Sequence, residues 1–188
     1  MLGYYKRPDA TSEVLKPDGW FHTGDIGKLT EDGLRILSRK DRMFKLSNGE
    51  KIFPTEIEER LMARCKFIKH AFVFGKGLTR FSMLLFPNFE LFGVKRISNL
   101  DKSECPYPCS CSALSDCLSG CIREVKSLIQ AGFEKIGRVV IIPAELSIEN
   151  RELTPSFKLI PKVIEERYKD YMTENPPKDA FILDGAPK

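Results

Sequence analysis

The sequence predicts a small α+β fold, in which a short sheet is flanked by helices. Compact apolar runs of strand length alternate along the chain with amphipathic stretches of helical length, and no internal repeat is present. The chain has 188 residues, of which 42% are hydrophobic. This is enough for one full core with a small unit attached to it.

Residues 1–38 are rich in turn-forming residues. Asp18-Gly19 precedes the apolar run 20–22, and Asp32-Gly33 precedes 34–37. Such turns between apolar runs predict short antiparallel strands. The charged run 39–42 then interrupts the apolar pattern, so we place a domain boundary there.

A helix and a strand pair are predicted next. Thr55 and Glu58 have the spacing of a capping box, which predicts a helix over about 55–65. The apolar runs 70–74 and 81–86 are separated by a glycine-containing turn, and the second run ends at Pro87. This pattern predicts two paired strands.

The last third of the chain contains three further predicted elements. We expect a helix over about 114–130, a strand at 138–142 and a helix from Pro161 to Tyr168, with proline at its first turn. Residues 173–188 contain three prolines and no apolar periodicity. We expect this tail to be loosely ordered.

Charge and hydropathy exclude several functional classes. The net charge is only +4, and basic residues are interleaved with acidic ones, which argues against a nucleic-acid partner. The start of the chain lacks the features of a secretory signal, and no apolar run approaches the ~20 residues needed to span a membrane. We expect a soluble, cytoplasmic protein, with peripheral membrane association left open.

Five of the six cysteines crowd into one segment: Cys105, Cys109, Cys111, Cys117 and Cys121. An intracellular chain is not expected to use them as a disulfide framework. A zinc site is one interpretation, but the spacing contains no pair of C-x2-C knuckles. The alternative, which we favour, is a tolerant loop that runs into a helix, and we assign no metal ligands.

Asp25 lies between Gly24 and Gly27, in a stretch where a carboxylate can stand close to a ligand. An ionised carboxylate can accept two hydrogen bonds at once, so a ribose diol is a suitable ligand. The alternative is an ordinary turn, which Asp and Gly also favour.

The whole pattern resembles the adenylate-forming superfamily of acyl-CoA synthetases, luciferases and peptide-synthetase adenylation domains. Several motifs occur in the order found in that family, at 3–5, 11, 13, 18–25, 39–41, 49–54, 57–58 and 153–158. Segments 44–50 and 153–158 are most similar to those of the long-chain fatty acyl branch. The resemblance therefore implies a long-chain fatty acid as substrate, together with ATP, Mg²⁺ and CoA.

The resemblance also implies a domain organisation. Residues 1–38 would be the β-rich end of a large N-terminal domain, and residues 39–172 would be the small C-terminal lid domain. Asp25 would bind the ribose hydroxyls of ATP or AMP, Arg39 would assist at the ribose and phosphate, and Asp41 would be the hinge. The alternative for Arg39 and Asp41 is a solvated charge run, which contributes little.

Lys158 is the catalytic residue implied by the resemblance. An acyl carboxylate that attacks the α-phosphorus of ATP brings two anions together, and a fixed cation, with Mg²⁺, lowers that barrier. The alternative is an exposed hairpin lysine. Many long-chain members continue with a second basic pair, whereas this chain continues with 159–162, Leu-Ile-Pro-Lys.

The loop after the hinge is the implied passage for CoA. Lys45, Ser47, Asn48 and Gly49 would line it, and the glycine would let the narrow thiol arm pass close to the backbone. The alternative for Asn48-Gly49 is a tight turn.

The phosphate-binding loop of the family should lie upstream of Gly3, as should the acyl pocket. We therefore expect these residues to be a piece of a longer enzyme and to be inactive alone, because they need the N-terminal domain of that enzyme as a partner. Two other functions stay open. One is a ligase of the same superfamily that acts on an acyl carrier protein, and the other is a non-catalytic, cysteine-rich module that binds zinc or a partner.

Overall fold

A computed structural model describes residues 1–65, 68–88, 136–142, 144–178 and 181–184. The predicted helix over about 114–130 and the cysteines from Cys105 to Cys121 lie outside the described residues. Within them the elements are α1 (Pro8–Val14), β1 (Asp25–Thr30), β2 (Gly33–Arg39), β3 (Phe44–Lys45), β4 (Lys51–Ile52), α2 (Pro54–Arg64), β5 (Ile68–Phe74), β6 (Phe81–Pro87), β7 (Ile136–Ile141), α3 (Pro161–Arg167), a 3-10 helix (Lys169–Met172) and β8 (Phe181–Asp184).

The N-terminal stretch combines one helix with one hairpin. Strands β1 and β2 pair antiparallel around Asp32-Gly33, which confirms the strand predicted at 34–37. Residues 20–22 form no strand, and only Phe21 makes an isolated bridge, to Leu15. Helix α1 was not predicted, since it is short and has no buried residue to mark it.

The larger unit is built on a four-stranded sheet of order β5-β6-β7-β8. Strands β5 and β6 are antiparallel, which confirms the predicted pair, while β6 and β7 are parallel. The expectation of a loosely ordered tail is wrong for Phe181–Asp184. These residues form β8, which pairs antiparallel with β7 and supplies backbone partners to its otherwise open edge.

Helix α2 is confirmed, but its predicted capping box is wrong. The helix begins at Pro54 and its N-cap is Phe53, with no side-chain cap hydrogen bond. Thr55 therefore lies inside the first turn, where its hydroxyl is 3.2 Å from the Ser38 hydroxyl. Glu58 faces the sheet instead of the free amides of the helix.

The core lies where the sheet meets α3 and the chain before it. Helix α3 opens at Pro161 as predicted. One buried cluster joins the sheet, the 144–160 loop and α3: Phe72, Leu84, Phe86, Val140, Ile142, Leu146, Leu153, Ile164 and Tyr168. Among the described residues, no helix is long and apolar enough to cross a membrane.

Candidate functional site

Asp25 and Arg39 face each other at the open end of the β1–β2 hairpin, where they are direct register partners. Arg39 Nη1 lies 3.1 Å from Asp25 Oδ1, and it also donates to the Thr23 carbonyl at 2.8 Å. The Asp25 side chain is 30% exposed, so this carboxylate is fixed by its partner and still open to a ligand. Two of the predicted ligand-binding residues are therefore brought together.

Gly24 makes this close approach possible. Its φ is +75°, in the left-handed region that favours glycine. A Cβ at this position would lie 3.2 Å from Arg39 Nη2. A larger residue would therefore push against the guanidinium that holds Asp25.

Asp41 and Arg42 are adjacent in sequence but differ in environment. Asp41 is 80% exposed, and its carboxylate is 3.9 Å from Arg39 Nε. Arg42 turns inward, forms an ion pair with Glu58 of α2, and lies over the Phe72 ring at 4.3 Å from its centroid. The Asp41 side chain is therefore exposed to solvent, whereas that of the next residue is anchored in the core.

Glu58 is the buried partner in this anchor. Its Oε1 also accepts the backbone N–H of Val73, at 2.7 Å. Burial raises the pKa of Glu58 above its ordinary value of 4.5, while the Arg42 charge and the Val73 amide oppose the rise. The carboxylate thus joins the segment after Asp41, helix α2 and strand β5.

Lys45, Ser47, Asn48 and Gly49 follow one another on the β3–β4 hairpin. Gly49 has φ +85° and its N–H donates to the Leu46 carbonyl at 2.9 Å, so the predicted tight turn is present. The Asn48 side chain accepts the Glu50 N–H at 3.0 Å. Backbone hydrogen bonds of Lys45 and Ser47 tie this hairpin to the 75–78 turn.

Lys158 lies at the end of a tight hairpin turn and is exposed. Thr154 closes this turn, because its N–H donates to the Lys158 carbonyl at 2.8 Å and its hydroxyl accepts the Lys158 N–H at 3.1 Å. Phe157, before it, has φ +58°. In the described part of the chain the Lys158 ammonium forms no ion pair, so it is available for an anion.

The predicted residues thus form three separate groups. Arg39 contacts both Asp25 and Asp41, the 45–49 loop lies on the next hairpin, and Lys158 is on a loop of its own. No hydrogen bond or ion pair between described residues joins Lys158 to either of the other groups. The described residues also contain no group of three or more His, Cys, Asp or Glu side chains that could hold a metal ion.

A cleft of about 660 Å³ was not predicted from the sequence. Its lining includes Arg80 and Ser82 from around the start of β6 and Gly137 and Arg138 from β7. Arg138 is engaged, since its Nη1 donates to the carbonyls of Thr173 and Glu174 at 2.7 and 2.8 Å. Only the parallel pairing of β6 with β7 brings Arg80 and Arg138 together, and no local sequence pattern signals that pairing.

A family model described as the AMP-binding enzyme C-terminal domain matches residues 41–174 of this chain. Fatty acyl-CoA synthetase A of Dictyostelium discoideum is 38% identical over 180 residues, which cover 89% of this chain and 26% of that protein. Long-chain-fatty-acid–CoA ligase 5 of Rattus norvegicus is 37% identical over 164 residues, covering 83% of this chain and 23% of the ligase. The chain thus spans about a quarter of the length of these relatives.

The fold is also similar to that of solved structures. The A-PCP didomain of carboxylic acid reductase from Segniliparus rugosus, solved in complex with AMP, matches with a TM-score of 0.69. The match has 21% sequence identity and covers 90% of this chain and 22% of the didomain. At this identity the likeness supports the fold alone.

Proposed function

Because this chain belongs to the family of AMP-binding enzyme C-terminal domains, we propose that it provides the mobile lid of a long-chain fatty acyl-CoA ligase. The ligase would convert a fatty acid and ATP to acyl-AMP and pyrophosphate, and then transfer the acyl group to CoA with release of AMP. Residues 1–38 would end the large domain of the ligase, and residues 39–172 would form its lid.

The names of the relatives support this substrate class. Both are fatty acyl-CoA synthetases or ligases, and they match most of this chain at 37–38% identity. Their names give CoA as the acceptor, which favours CoA over an acyl carrier protein as the thiol. The large domain would bind the acyl group, because a long hydrocarbon chain requires a deep apolar pocket.

The observation that carries the proposal is the exposed ammonium of Lys158, which forms no ion pair with any described residue and lies on a turn held by hydrogen bonds. In the first half-reaction a carboxylate oxygen of the fatty acid attacks the α-phosphorus, and the bond to the pyrophosphate oxygen breaks. Negative charge then accumulates between two anions, and Lys158 would stabilise it from the lid side. Since the Thr154 hydroxyl and carbonyl groups hold the turn, little reorganisation is needed at the moment of reaction.

Asp25 and Arg39 would hold the nucleotide while the lid moves. The Asp25 carboxylate can accept both ribose hydroxyls, and the exposed face of Arg39 can reach a phosphate oxygen. Asp41 would be the pivot, because it is 80% exposed while the Arg42 side chain is only 11% exposed. Everything from Arg42 onward would move with the lid.

In the second half-reaction the CoA thiolate attacks the acyl carbonyl carbon, and the bond to the AMP oxygen breaks. The 45–49 loop would line the passage for the thiol arm. It is hydrogen-bonded to the 75–78 turn, and that turn borders the cleft lined by Arg80 and Arg138. This cleft is where the phosphates of CoA would find positive charge.

The family also implies Mg²⁺. The described residues contain no group of three or more His, Cys, Asp or Glu side chains, so they offer no all-protein cage for a metal ion. Mg²⁺ is usually held by one or two carboxylates together with substrate phosphates, and no metal ligand is assigned among the described residues.

The test is ATP–pyrophosphate exchange with a long-chain fatty acid, measured on the ligase that carries this lid. Lys158→Ala should reduce exchange by roughly 10²–10³-fold, the usual effect of removing one transition-state donor. CoA transfer from supplied acyl-AMP should stay within about twofold, since a residue used only in adenylation leaves the other step intact.

Lys162→Ala is the matched control, because Lys162 is also exposed and lies four residues further on. It should leave both half-reactions unchanged. The proposal fails if the parent enzyme exchanges pyrophosphate with no fatty acid, or if Lys158→Ala behaves like Lys162→Ala.

A further inference from the structure

Glu152 is a carboxylate in the core, with a side chain that is only 2% exposed. Three donors satisfy it: the backbone N–H of Ser147 at 3.0 Å, the Tyr168 hydroxyl at 2.8 Å and Arg167 Nη1 at 3.2 Å. A buried carboxylate is tolerated only when it is hydrogen-bonded in this way. The three donors come from both sides of the loop that carries Lys158.

The backbone of Glu152 closes the same loop. Its carbonyl accepts the Ile160 N–H at 2.9 Å, and the neighbouring Leu153 forms an antiparallel bridge with Leu159. The Thr154–Lys158 turn begins directly after this bridge. Glu152 therefore touches the start of the loop at Ser147, its end at Ile160, and the helix that follows.

Stability alone does not account for a charge here. A buried ion pair is often no more stabilising than apolar side chains of similar volume. Glu152 lies in an apolar part of the protein, since Leu153, Ile164 and Tyr168 all belong to one core cluster. The site also raises the pKa of Tyr168, first through burial and then through the hydrogen bond to Glu152, so the phenol remains a donor to the carboxylate.

We propose that Glu152 is a positioning residue for Lys158: its carboxylate fixes the 147–160 loop to α3 so that the Lys158 ammonium is presented in one place. The inference rests on the proposed role of Lys158. Arg167 and Tyr168 hold Glu152 from the end of α3, and Ser147 holds it from the start of the loop. The Arg167 side chain is 46% exposed, so its positive charge compensates the buried Glu152 carboxylate from the solvent side.

Two replacements separate positioning from packing. Glu152→Gln keeps the shape, but its amide cannot accept from all three donors, and one nitrogen must face a donor. Glu152→Met fills the same space and removes every acceptor. A displacement of about 1 Å can cost roughly 10²-fold in rate. We expect both variants to reduce the maximal rate of ATP–pyrophosphate exchange by about 10- to 100-fold, with the KM for ATP and CoA transfer from acyl-AMP within about twofold.

The melting temperature provides the readout that a purely structural role would move. Glu152→Met should lower the melting temperature, because it leaves the Ser147 N–H and the Tyr168 hydroxyl without their acceptor, so the half-reactions are compared at a temperature at which the variant is folded. If Glu152→Met does not fold, Glu152→Gln still supplies the rate measurement. Loss of both half-reactions in parallel with a lower melting temperature would overturn the proposal.

The double variant Lys158→Ala/Glu152→Gln is the decisive comparison. If Glu152 acts through Lys158, the double variant should exchange pyrophosphate no more slowly than Lys158→Ala alone, since effects of residues that act as a unit do not add. Multiplied losses would overturn the inference. If Lys158→Ala lowers exchange but Glu152→Gln does not, the positioning role alone is wrong. If Lys158→Ala has no effect, the proposed function and this inference both fall.

Discussion

Replacing Arg42 with methionine should destabilise the chain far more than replacing a comparable arginine at the surface. The Arg42 and Glu58 side chains are each only 11% exposed. Removing one partner of such a buried pair typically costs about 3–5 kcal/mol, because the other charge is left in the core without compensation. Here the Val73 N–H remains bonded to Glu58, so we expect a cost near the lower end, about 3 kcal/mol.

The cost should depend on pH in a defined direction. Burial places the pKa of Glu58 in the folded protein above its value of 4.5 in the unfolded chain. The unfolded chain then loses this proton first, so the contribution of Glu58 to the free energy of unfolding falls as pH rises from 4.5 through the folded pKa. Without Arg42 the folded pKa rises further, and the penalty should be smaller at about pH 5 than at about pH 8.

Urea denaturation followed by circular dichroism measures both effects. Arg35→Met is the matched control, because Arg35 also pairs with a glutamate of α2, Glu56 at 3.3 Å, but is 52% exposed. It should cost only about 0.2–1 kcal/mol, the usual value for an exposed ion pair. If Arg42→Met costs no more than this control, or if its cost is the same at both pH values, the reasoning about the buried anchor is wrong.

Two further predictions concern the ligand-binding residues. Asp25→Asn should raise the KM for ATP by roughly 10-fold or more, since a hydrogen bond to a charged group is worth about 1.5–3 kcal/mol. Asp32→Asn, at the exposed hairpin turn, is the control. Equal KM values for the two variants would argue against ribose binding by Asp25. Arg80→Met should raise the KM for CoA by about 10-fold while ATP–pyrophosphate exchange is unchanged, as expected for loss of one phosphate contact. Equal changes in both half-reactions would contradict the assignment of the cleft to CoA.

The family and the fold class were predictable from the sequence, and both are confirmed. The turns in segments such as 18–25 and 153–158 could also be predicted, because a turn or a hairpin is determined by residues that are close in sequence. The same holds for the β5–β6 pair and for α3, whose first residue is Pro161. The roles of Asp25, Arg39, Asp41 and Lys158 remain predictions.

What the sequence did not reveal depends on contacts between distant residues. Thr55 and Glu58 have capping-box spacing, yet their side chains bond to Ser38 and Arg42, because Pro54 starts the helix one residue earlier. The Arg80–Arg138 cleft exists only because β6 and β7 are parallel neighbours. Glu152 had no local pattern that would distinguish a buried acceptor from an exposed glutamate.

The parallel neighbours β6 and β7 also determine the order in which this sheet can assemble. The β5–β6 hairpin joins residues close in sequence, whereas Ser82 and Arg138, which meet across the β6–β7 junction, are 56 positions apart. Closing a longer loop costs more chain entropy, so the hairpin should form early and the β7–β8 half should dock late. During synthesis, therefore, the β6 edge would stay open to other strands until the ribosome has delivered β7.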